Sequence, residues 1–238
     1  MKTIIFDVDD TLYDQMIPFE QAIQKNFPKE ITPIAELYAA MRVFSDKVFH
    51  LTEGGEMGLE EMHIYRIQKA YETFEKTITD EQALSFQKDY AQNQKEITLL
   101  PEVKEVLDLC LEKGIKMGII TNGPTNHQKN KIKQLGMEKW IPKENMFISG
   151  EVGIAKPNVE LFKHVEQSMN LDSDETYYFG DSFENDMVGA SNAGWKKIWK
   201  NHRNKEVLDE RVEVEFVVDE ENMLMRAIEG ILDLEFTI

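Results

Sequence analysis

The sequence predicts an α/β protein in which a parallel sheet carries helices on both faces, together with a small all-helical domain. Three observations support this fold class. An apolar run at 2–8 ends in acidic residues, as a buried parallel strand does. From about Gly114 onward, strand and helix patterns alternate, which is typical of a parallel sheet with crossover helices. Residues 15–97 show long amphipathic segments without a convincing strand.

The elements of the sheet domain follow in order from apolar runs and their boundaries. Strands are predicted at 2–8, 115–121, 146–149, 176–179, 197–199 and 216–218. Helices are predicted at 126–135, 159–169, 184–193 and 221–232. Before the second strand, a helical segment should bury one apolar face, formed by Val103, Val106, Leu107, Cys110 and Leu111. Cys110 is expected to pack there as a small hydrophobe rather than to serve as a reactive thiol.

The helical domain is predicted to interrupt the chain just after the first strand. Its helices are expected at 18–26, 33–51, 59–74 and 81–94. The turns between them are marked by Pro28, Pro33 and the pair Gly54-Gly55. We therefore assign 1–15 and 98–238 to the α/β core and 16–97 to the inserted helical domain.

Composition narrows the functional classes. The net charge of −17 disfavours binding to nucleic-acid polymers, which proteins hold through Lys and Arg. No apolar run approaches the ~20 residues that span a bilayer, and the N-terminus has no signal-peptide core. We therefore expect a cytoplasmic protein that acts on a small molecule without a membrane partner. The oligomeric state cannot be inferred.

Two polar motifs follow the first two strands. Asp7 and Asp9 lie two residues apart, so an extended chain would direct both side chains to one side, ~6.6 Å apart. Alone, they could equally be solvated acids in a turn. Thr121, Asn122 and Gly123 end the second strand, where a hydroxyl and backbone N–H groups suit a phosphate oxygen. The alternative is a simple helix cap.

Two further motifs come later in the chain. Lys156 precedes Pro157, which restricts its backbone and would hold the lysine at a rigid corner. Asp181 stands at the end of a strand and Asp186 within the following helix. Their carboxylates are ligands that Mg²⁺ prefers, although a surface lysine, a helix cap and a surface acid would explain the same residues.

The four motifs gain weight together because all fall at the carboxyl ends of predicted parallel strands, where open α/β folds bind ligands. Two like charges ~4 Å apart repel by ~4 kcal/mol at an effective dielectric of ~20. A cluster of Asp7, Asp9, Asp181 and Asp186 therefore needs a compensating cation or protons. Mg²⁺ would meet this need, and Lys156 could help to hold both a carboxylate and an anionic substrate.

This set of motifs resembles the haloacid dehalogenase superfamily of phosphohydrolases. The resemblance rests on Asp7-x-Asp9-x-Thr11, Thr121, Lys156-Pro157 and Gly180-Asp181-x4-Asp186. It implies a Rossmann-like core, and the helical insertion resembles the first class of caps in that superfamily. The segments 118–123 and 151–158 are similar to nucleotidases that act on pyrimidine and non-canonical nucleoside monophosphates. Asp10, where many relatives have glycine, also favours that branch.

The resemblance implies a role for each motif. Asp7 would attack phosphorus and form an aspartyl-phosphate, while Asp9 would protonate the leaving oxygen and then activate water. The Asp7 carboxylate, the Asp9 backbone carbonyl and Asp181 would bind Mg²⁺, with Asp186 nearby or acting through water. The phosphoryl group would be held by Thr121, Asn122 and Lys156.

Several rival functions remain open from the sequence. Asp9 speaks against dehalogenation, which needs no acid–base carboxylate at that position. A phosphomutase would share the same core residues, and a non-catalytic binding protein could use the same scaffold. Within phosphatases, a nucleoside 5'-monophosphate is the first expectation, with phosphoglycolate or a sugar phosphate as the alternative.

Overall fold

The computed structural model describes residues 2–29, 31–207, 209–219 and 223–232. These residues form two compact units, one of residues 1–14 and 98–238 and one of residues 15–97. The first is an α/β unit and the second is entirely helical. The predicted fold class is confirmed. None of the described helices is long and apolar enough to cross a lipid bilayer.

The α/β unit is built on one parallel sheet. Its strands are β1 (Thr3–Phe6), β2 (Lys116–Thr121), β3 (Met146–Ile148), β4 (Thr176–Gly180), β5 (Lys196–Lys200) and β6 (Phe216–Val218). They lie in the order β3-β2-β1-β4-β5-β6, and every neighbouring pair is parallel. All four residues of β1 are buried, which explains its uninterrupted apolar sequence.

The helices of this unit connect successive strands. They are α5 (Pro101–Glu112), α6 (Thr125–Gln134), α7 (Ser149–Val152), α8 (Val159–Met169), α9 (Gly189–Asn192) and α10 (Met223–Ile231), with α1 to α4 in the helical unit. One buried cluster packs α8 against the sheet through Ile5, Ile120, Phe162, Val165 and Tyr178. Most predicted boundaries differ from the observed ones by one or two residues, and the predicted start of the last helix at Glu221 lies outside the described residues.

Two local expectations for the α/β unit were wrong. The helix predicted at 184–193 is instead a π-helical segment, Phe183–Val188, followed by the single turn of α9. Its wider turn is visible where the N–H of Met187 bonds to the carbonyl of Ser182 at 3.3 Å. Leu111 was placed on the buried face of α5 but is 48% exposed, whereas Cys110 is fully buried as expected. Leu111 stands in the last turn of α5, where the apolar stripe no longer meets the core.

The helical unit contains α1 (Met16–Asn26), α2 (Ile34–Glu53), α3 (Leu59–Glu72) and α4 (Asp80–Asn93). Each helix contributes aromatic or aliphatic side chains to one core. Phe19 lies at its centre, edge-on to Tyr38, Phe86 and Tyr90 with ring centroids 5.4–6.1 Å apart. This arrangement satisfies the edge-to-face preference of aromatic rings and accounts for a stable unit without strands.

Candidate active site

Three neighbouring strands bring the polar motifs to one edge of the sheet. β1 lies between β2 and β4, so their carboxyl ends are adjacent. Asp7 directly follows β1, Thr121 is the last residue of β2, and Asp181 directly follows β4. The backbone N–H of Asp7 still bonds to the carbonyl of Phe179 at 2.9 Å, so the side chain of Asp7 emerges where the sheet pairing stops.

Three carboxylates meet at this edge. Asp7, Asp181 and Asp186 each offer an oxygen that lies within 4.8 Å of the other two. All three are buried, with exposures of 5%, 8% and 1% respectively. Asp186 reaches the cluster because the backbone N–H of Ser182 donates to its Oδ2 at 2.9 Å. Buried carboxylates this close together repel strongly unless positive charge or protons compensate them.

Lys156 supplies part of that charge. Its Nζ donates to Asp7 Oδ1 at 2.7 Å, to Asp186 Oδ1 at 2.6 Å and to the hydroxyl of Tyr178 at 2.8 Å. An ammonium group has three protons, so each of these protons has a protein acceptor. Burial alone would lower the pKa of Lys156, but the charges of Asp186 and Asp7 outweigh it and raise the pKa. Lys156 is therefore a fixed cation that joins two of the three carboxylates.

The remaining repulsion appears in the pKa values of the acids. Burial, together with Asp186 and Asp181, raises the pKa of Asp7 to about 8 despite the opposing charge of Lys156. Burial, with Asp10 and Asp186, raises the pKa of Asp181 to about 6 against the opposing effect of Lys205. One lysine at the centre of the cluster therefore does not neutralise it. An added cation would lower both pKa values.

The Thr121-Asn122-Gly123 motif has two different functions in this edge. Asn122 Nδ2 donates to the carbonyl of Lys156, and the N–H of Lys156 donates back to Asn122 Oδ1, each at 2.9 Å. The Asn122 side chain thus fixes the backbone of Lys156. Thr121 Oγ1 is buried and has no hydrogen-bond partner among the described residues. A buried hydroxyl left in this state is suited to a ligand oxygen.

Asp9 is held apart from the three-carboxylate cluster. Lys131 Nζ donates to its Oδ1 at 2.6 Å and to its Oδ2 at 2.8 Å. Gln128 Nε2 adds a bond to Oδ2 at 2.8 Å, and the hydroxyl of Tyr13 adds one to Oδ1 at 2.6 Å. Burial would raise the pKa of Asp9, but the charge of Lys131 and these three donors hold it well below its usual range.

Four residues of the site were not identified from the sequence: Tyr178, Gln128, Lys131 and Lys205. Tyr178 carries a polar group into a buried strand, which is a usable signal because such hydroxyls need partners. Gln128 and Lys131 lie three residues apart on α6, directly after the Thr121 motif. Lys205, whose Nζ lies 2.6 Å from Asp181 Oδ2, lies in a loop with no local pattern that marks it.

A second acidic group lies beside the first. Asp10, Asp14 and His202 have ligand atoms within 4.8 Å of one another. Arg203 already donates to Asp10 Oδ1 at 2.7 Å and to Asp14 Oδ1 at 2.6 Å. Because a guanidinium group compensates these two acids, this group differs from the cluster of Asp7, where a net negative charge persists.

The cluster of Asp7, Asp181 and Asp186 fits a hard divalent cation. Its donors are all carboxylate oxygens, the ligand type that Mg²⁺ prefers. The raised pKa values of Asp7 and Asp181 show that the cluster lacks positive charge. The donor set and the electrostatics therefore agree.

Comparisons with known proteins agree with this arrangement. A family model described as haloacid dehalogenase-like hydrolase matches residues 1–194. The chain is 28% identical over 222 residues to a glyceraldehyde 3-phosphate phosphatase of Methanothermobacter thermautotrophicus, covering 90% of this chain and 91% of that protein. It is 34% identical over 110 residues to the pyrimidine 5'-nucleotidase YjjG of Escherichia coli, covering 46% and 48%.

Solved structures share the fold. The putative HAD-hydrolase YfnB from Bacillus subtilis, bound to magnesium, aligns with a TM-score of 0.70 at 19% identity, covering 96% of this chain and 98% of that one. A dehalogenase structure aligns with a TM-score of 0.75 at 14% identity, covering 95% and 96%. The family model, the curated relatives and the shared architecture lead to one conclusion: this chain belongs to the haloacid dehalogenase-like hydrolase family and is a phosphoric monoester hydrolase.

Proposed function

We propose that this hydrolase uses Asp7 as a nucleophile to remove phosphate from a small phosphorylated metabolite, with Mg²⁺ as its cofactor. One observation carries the proposal. Asp7 stands at the carboxyl end of the central strand, in contact with Lys156 and within 4.8 Å of both Asp181 and Asp186. Carboxylate nucleophiles of this kind form covalent aspartyl-phosphate intermediates.

The metal would be held by the carboxylates of Asp7, Asp181 and Asp186 and by the backbone carbonyl of Asp9. When bound, Mg²⁺ supplies positive charge to the transferring phosphoryl group and to the carboxylates around it. The support for this assignment is the donor set of the cluster and the raised pKa of Asp7 and Asp181.

The remaining roles belong to the chain's own side chains. Asp7 attacks phosphorus, and Lys156 keeps its Oδ1 oriented through a 2.7 Å hydrogen bond. The unpartnered hydroxyl of Thr121, the backbone around Asn122 and the ammonium group of Lys156 hold the phosphoryl oxygens. For Lys156 this requires exchange of one existing acceptor for a substrate oxygen, since its three protons are engaged. Fixed donors of this type stabilise the charge that the transition state spreads over phosphorus.

Asp9 is assigned the proton transfers. It protonates the leaving oxygen as the aspartyl-phosphate forms and then removes a proton from the water that hydrolyses it. Asp9 follows Asp7 by two residues and its side chain is fixed by hydrogen bonds to both oxygens. A carboxylate at this position has no comparable use in dehalogenation.

Two substrate classes have separate support. A short-chain sugar phosphate is favoured by the relative named glyceraldehyde 3-phosphate phosphatase, whose similarity extends over 222 residues. A nucleoside 5'-monophosphate is favoured by the 34% identity to the pyrimidine 5'-nucleotidase, which extends over 110 residues. Because the first match spans nearly the whole chain, we place triose and other small sugar phosphates ahead of nucleotides.

The test is phosphate release from a panel containing glyceraldehyde 3-phosphate, phosphoglycolate, hexose phosphates and pyrimidine nucleoside monophosphates. We expect activity with Mg²⁺ and its loss with excess EDTA. Asp7→Asn should abolish turnover, and Asp9→Asn should lower kcat by about 10²- to 10⁴-fold, the usual value of acid–base catalysis. Full activity of Asp7→Asn would refute the nucleophile. Isomerised sugar phosphate in place of free phosphate would identify a phosphomutase instead.

A further inference from the structure

The side chain of Asp9 is fixed by a network that the catalytic motifs do not include. Lys131 donates to both carboxylate oxygens, at 2.6 and 2.8 Å. Gln128 donates to one of these oxygens at 2.8 Å and Tyr13 to the other at 2.6 Å. With contacts to both oxygens, the network determines the plane of the Asp9 carboxylate as well as its direction.

Helix α6 turns this polar pair inward. Gln128 and Lys131 are three residues apart and share one face of the helix, and they are only 2% and 4% exposed. Lys129 on the same helix is directed outward, since its side chain is 53% exposed and forms a surface ion pair with Glu151. The sequence of α6 therefore places one lysine in the interior and leaves its neighbour at the surface.

The loop before α6 orients the network. Gln128 Nε2 also donates to the carbonyl of Asn122 at 2.9 Å, which joins α6 to the end of β2. Gly123 has a φ of 142° and passes so close to Gln128 that a Cβ there would lie 2.8 Å from its Nε2. The glycine of this motif thus leaves the space in which Gln128 reaches Asp9.

Stability alone does not account for this arrangement. A buried ion pair contributes little net stability compared with apolar side chains of similar volume, because two charges must be desolvated. The pair nevertheless spans 122 positions of sequence and engages both oxygens of Asp9. An exact orientation of one carboxylate is what such a network adds, and acid–base catalysis depends on orientation.

We propose that Lys131 and Gln128 are positioning residues for Asp9, which hold its carboxylate in the orientation needed for proton transfer at the leaving oxygen. The inference rests on the acid–base role proposed for Asp9. It has a consequence that a purely structural role lacks. Loss of Lys131 should harm esters with a poor leaving group more than esters whose leaving group departs without a proton.

The experiment compares kcat/KM for glyceraldehyde 3-phosphate, an alkyl ester, with kcat/KM for 4-nitrophenyl phosphate, whose phenolate is a good leaving group. Lys131→Met should lower the first value about 10- to 100-fold and the second by about threefold or less. Lys131→Arg should retain most of the wild-type activity on both esters. Lys129→Met is the matched control and should behave as the wild type. Thermal unfolding of each variant reports whether it is folded.

Two further variants keep the test decisive. Gln128→Leu removes one hydrogen bond without leaving a buried charge unpaired, so it serves if Lys131→Met does not fold. In the background of Asp9→Asn, Lys131→Met should lower kcat/KM by no more than about twofold, because it acts through the carboxylate already removed. Equal losses on both esters, or additive losses with Asp9→Asn, would overturn the inference. Wild-type protein without activity on either ester would instead refute the proposed function.

Discussion

The raised pKa of Asp7 predicts that the metal-free protein loses stability as the pH rises above about 6.5. In the folded chain this pKa is about 8, against an ordinary value of 3.8, and burial is the largest cause. Between those two values the folded state keeps the proton and the unfolded state has released it. Unfolding therefore releases a proton, and a higher pH favours the unfolded state.

The magnitude follows from one proton per molecule, which corresponds to about 1.36 kcal/mol for each pH unit. Between about pH 6.5 and about pH 8 this amounts to roughly 1–2 kcal/mol, since Asp7 itself begins to ionise at the upper end. Two other groups restrict the useful window to this range. Asp181, with a pKa raised to about 6, adds its own loss at lower pH. His202, whose pKa burial lowers to about 4, stabilises the folded state as the pH rises toward its ordinary value of 6.5.

The assay is urea unfolding of the metal-free protein across this window, with wild type and Asp7→Asn in identical buffers. The difference between the two proteins isolates Asp7, because all other titrating groups are shared. The free energy of unfolding of the wild type should fall by about 1–2 kcal/mol relative to the variant. Saturating Mg²⁺ should remove the fall, since a bound cation replaces the proton. A wild-type stability that rises, or stays level with that of Asp7→Asn, would refute the electrostatic argument.

Two other predictions concern single contacts of the site. Lys156→Met should lower the free energy of unfolding by about 3–5 kcal/mol at neutral pH, because it leaves buried carboxylates unpaired, whereas Lys163→Met on the surface of α8 should change it by less than about 0.5 kcal/mol; equal losses in urea unfolding would contradict the ion-pair account. Gly123→Ala should cost about 1–3 kcal/mol and should lower turnover, because its Cβ would meet Gln128 at 2.8 Å. Gly136→Ala is the control, since its φ is also positive, at 67°, but its Cβ would meet nothing within 4 Å. Circular dichroism melts and phosphate release would measure both, and equal loss of turnover in the two glycine variants would count against the steric explanation.

The meeting of Asp7 and Asp181 could be predicted from the sequence because it depends on topology alone. Each residue ends an apolar run, and runs that alternate with helices form a parallel sheet whose carboxyl ends share one edge. The structure places the two strands side by side, and the two carboxylates lie within 4.8 Å. A motif at the end of a strand thus carries positional information that survives without coordinates.

Partners within the site could not be predicted in the same way. Lys131 and Lys129 stand two residues apart on one helix, and only the packing of α6 decides which one is buried. The π-helical segment after Ser182 depends on a hydrogen bond between the Asp186 carboxylate and a backbone N–H, which no periodicity of apolar residues reports. Local pattern determines elements, whereas contacts between distant residues determine which polar side chains face the site.

The charges of the site lead to a last prediction about binding. Asp7, Asp181 and Asp186 contribute three negative charges, and the ammonium groups of Lys156 and Lys205 contribute two positive ones. The cluster is therefore left with one net negative charge, or with none when Asp7 carries its proton. Neither state attracts a phosphate dianion.

A bound divalent cation would reverse the sign of the cluster, so the metal should be required for anion binding as well as for chemistry. Inorganic phosphate, a product of the proposed reaction, is the direct probe. Isothermal titration should give a Kd at least about tenfold lower with saturating Mg²⁺ than with EDTA, since one unit charge at ~4 Å is worth ~4 kcal/mol at an effective dielectric of ~20. Asp181→Asn should weaken this dependence on Mg²⁺, because it removes a ligand of the cation. Equal phosphate affinity with and without the metal would show that Lys156 and the strand-end backbone suffice, and that the cation acts elsewhere in the reaction.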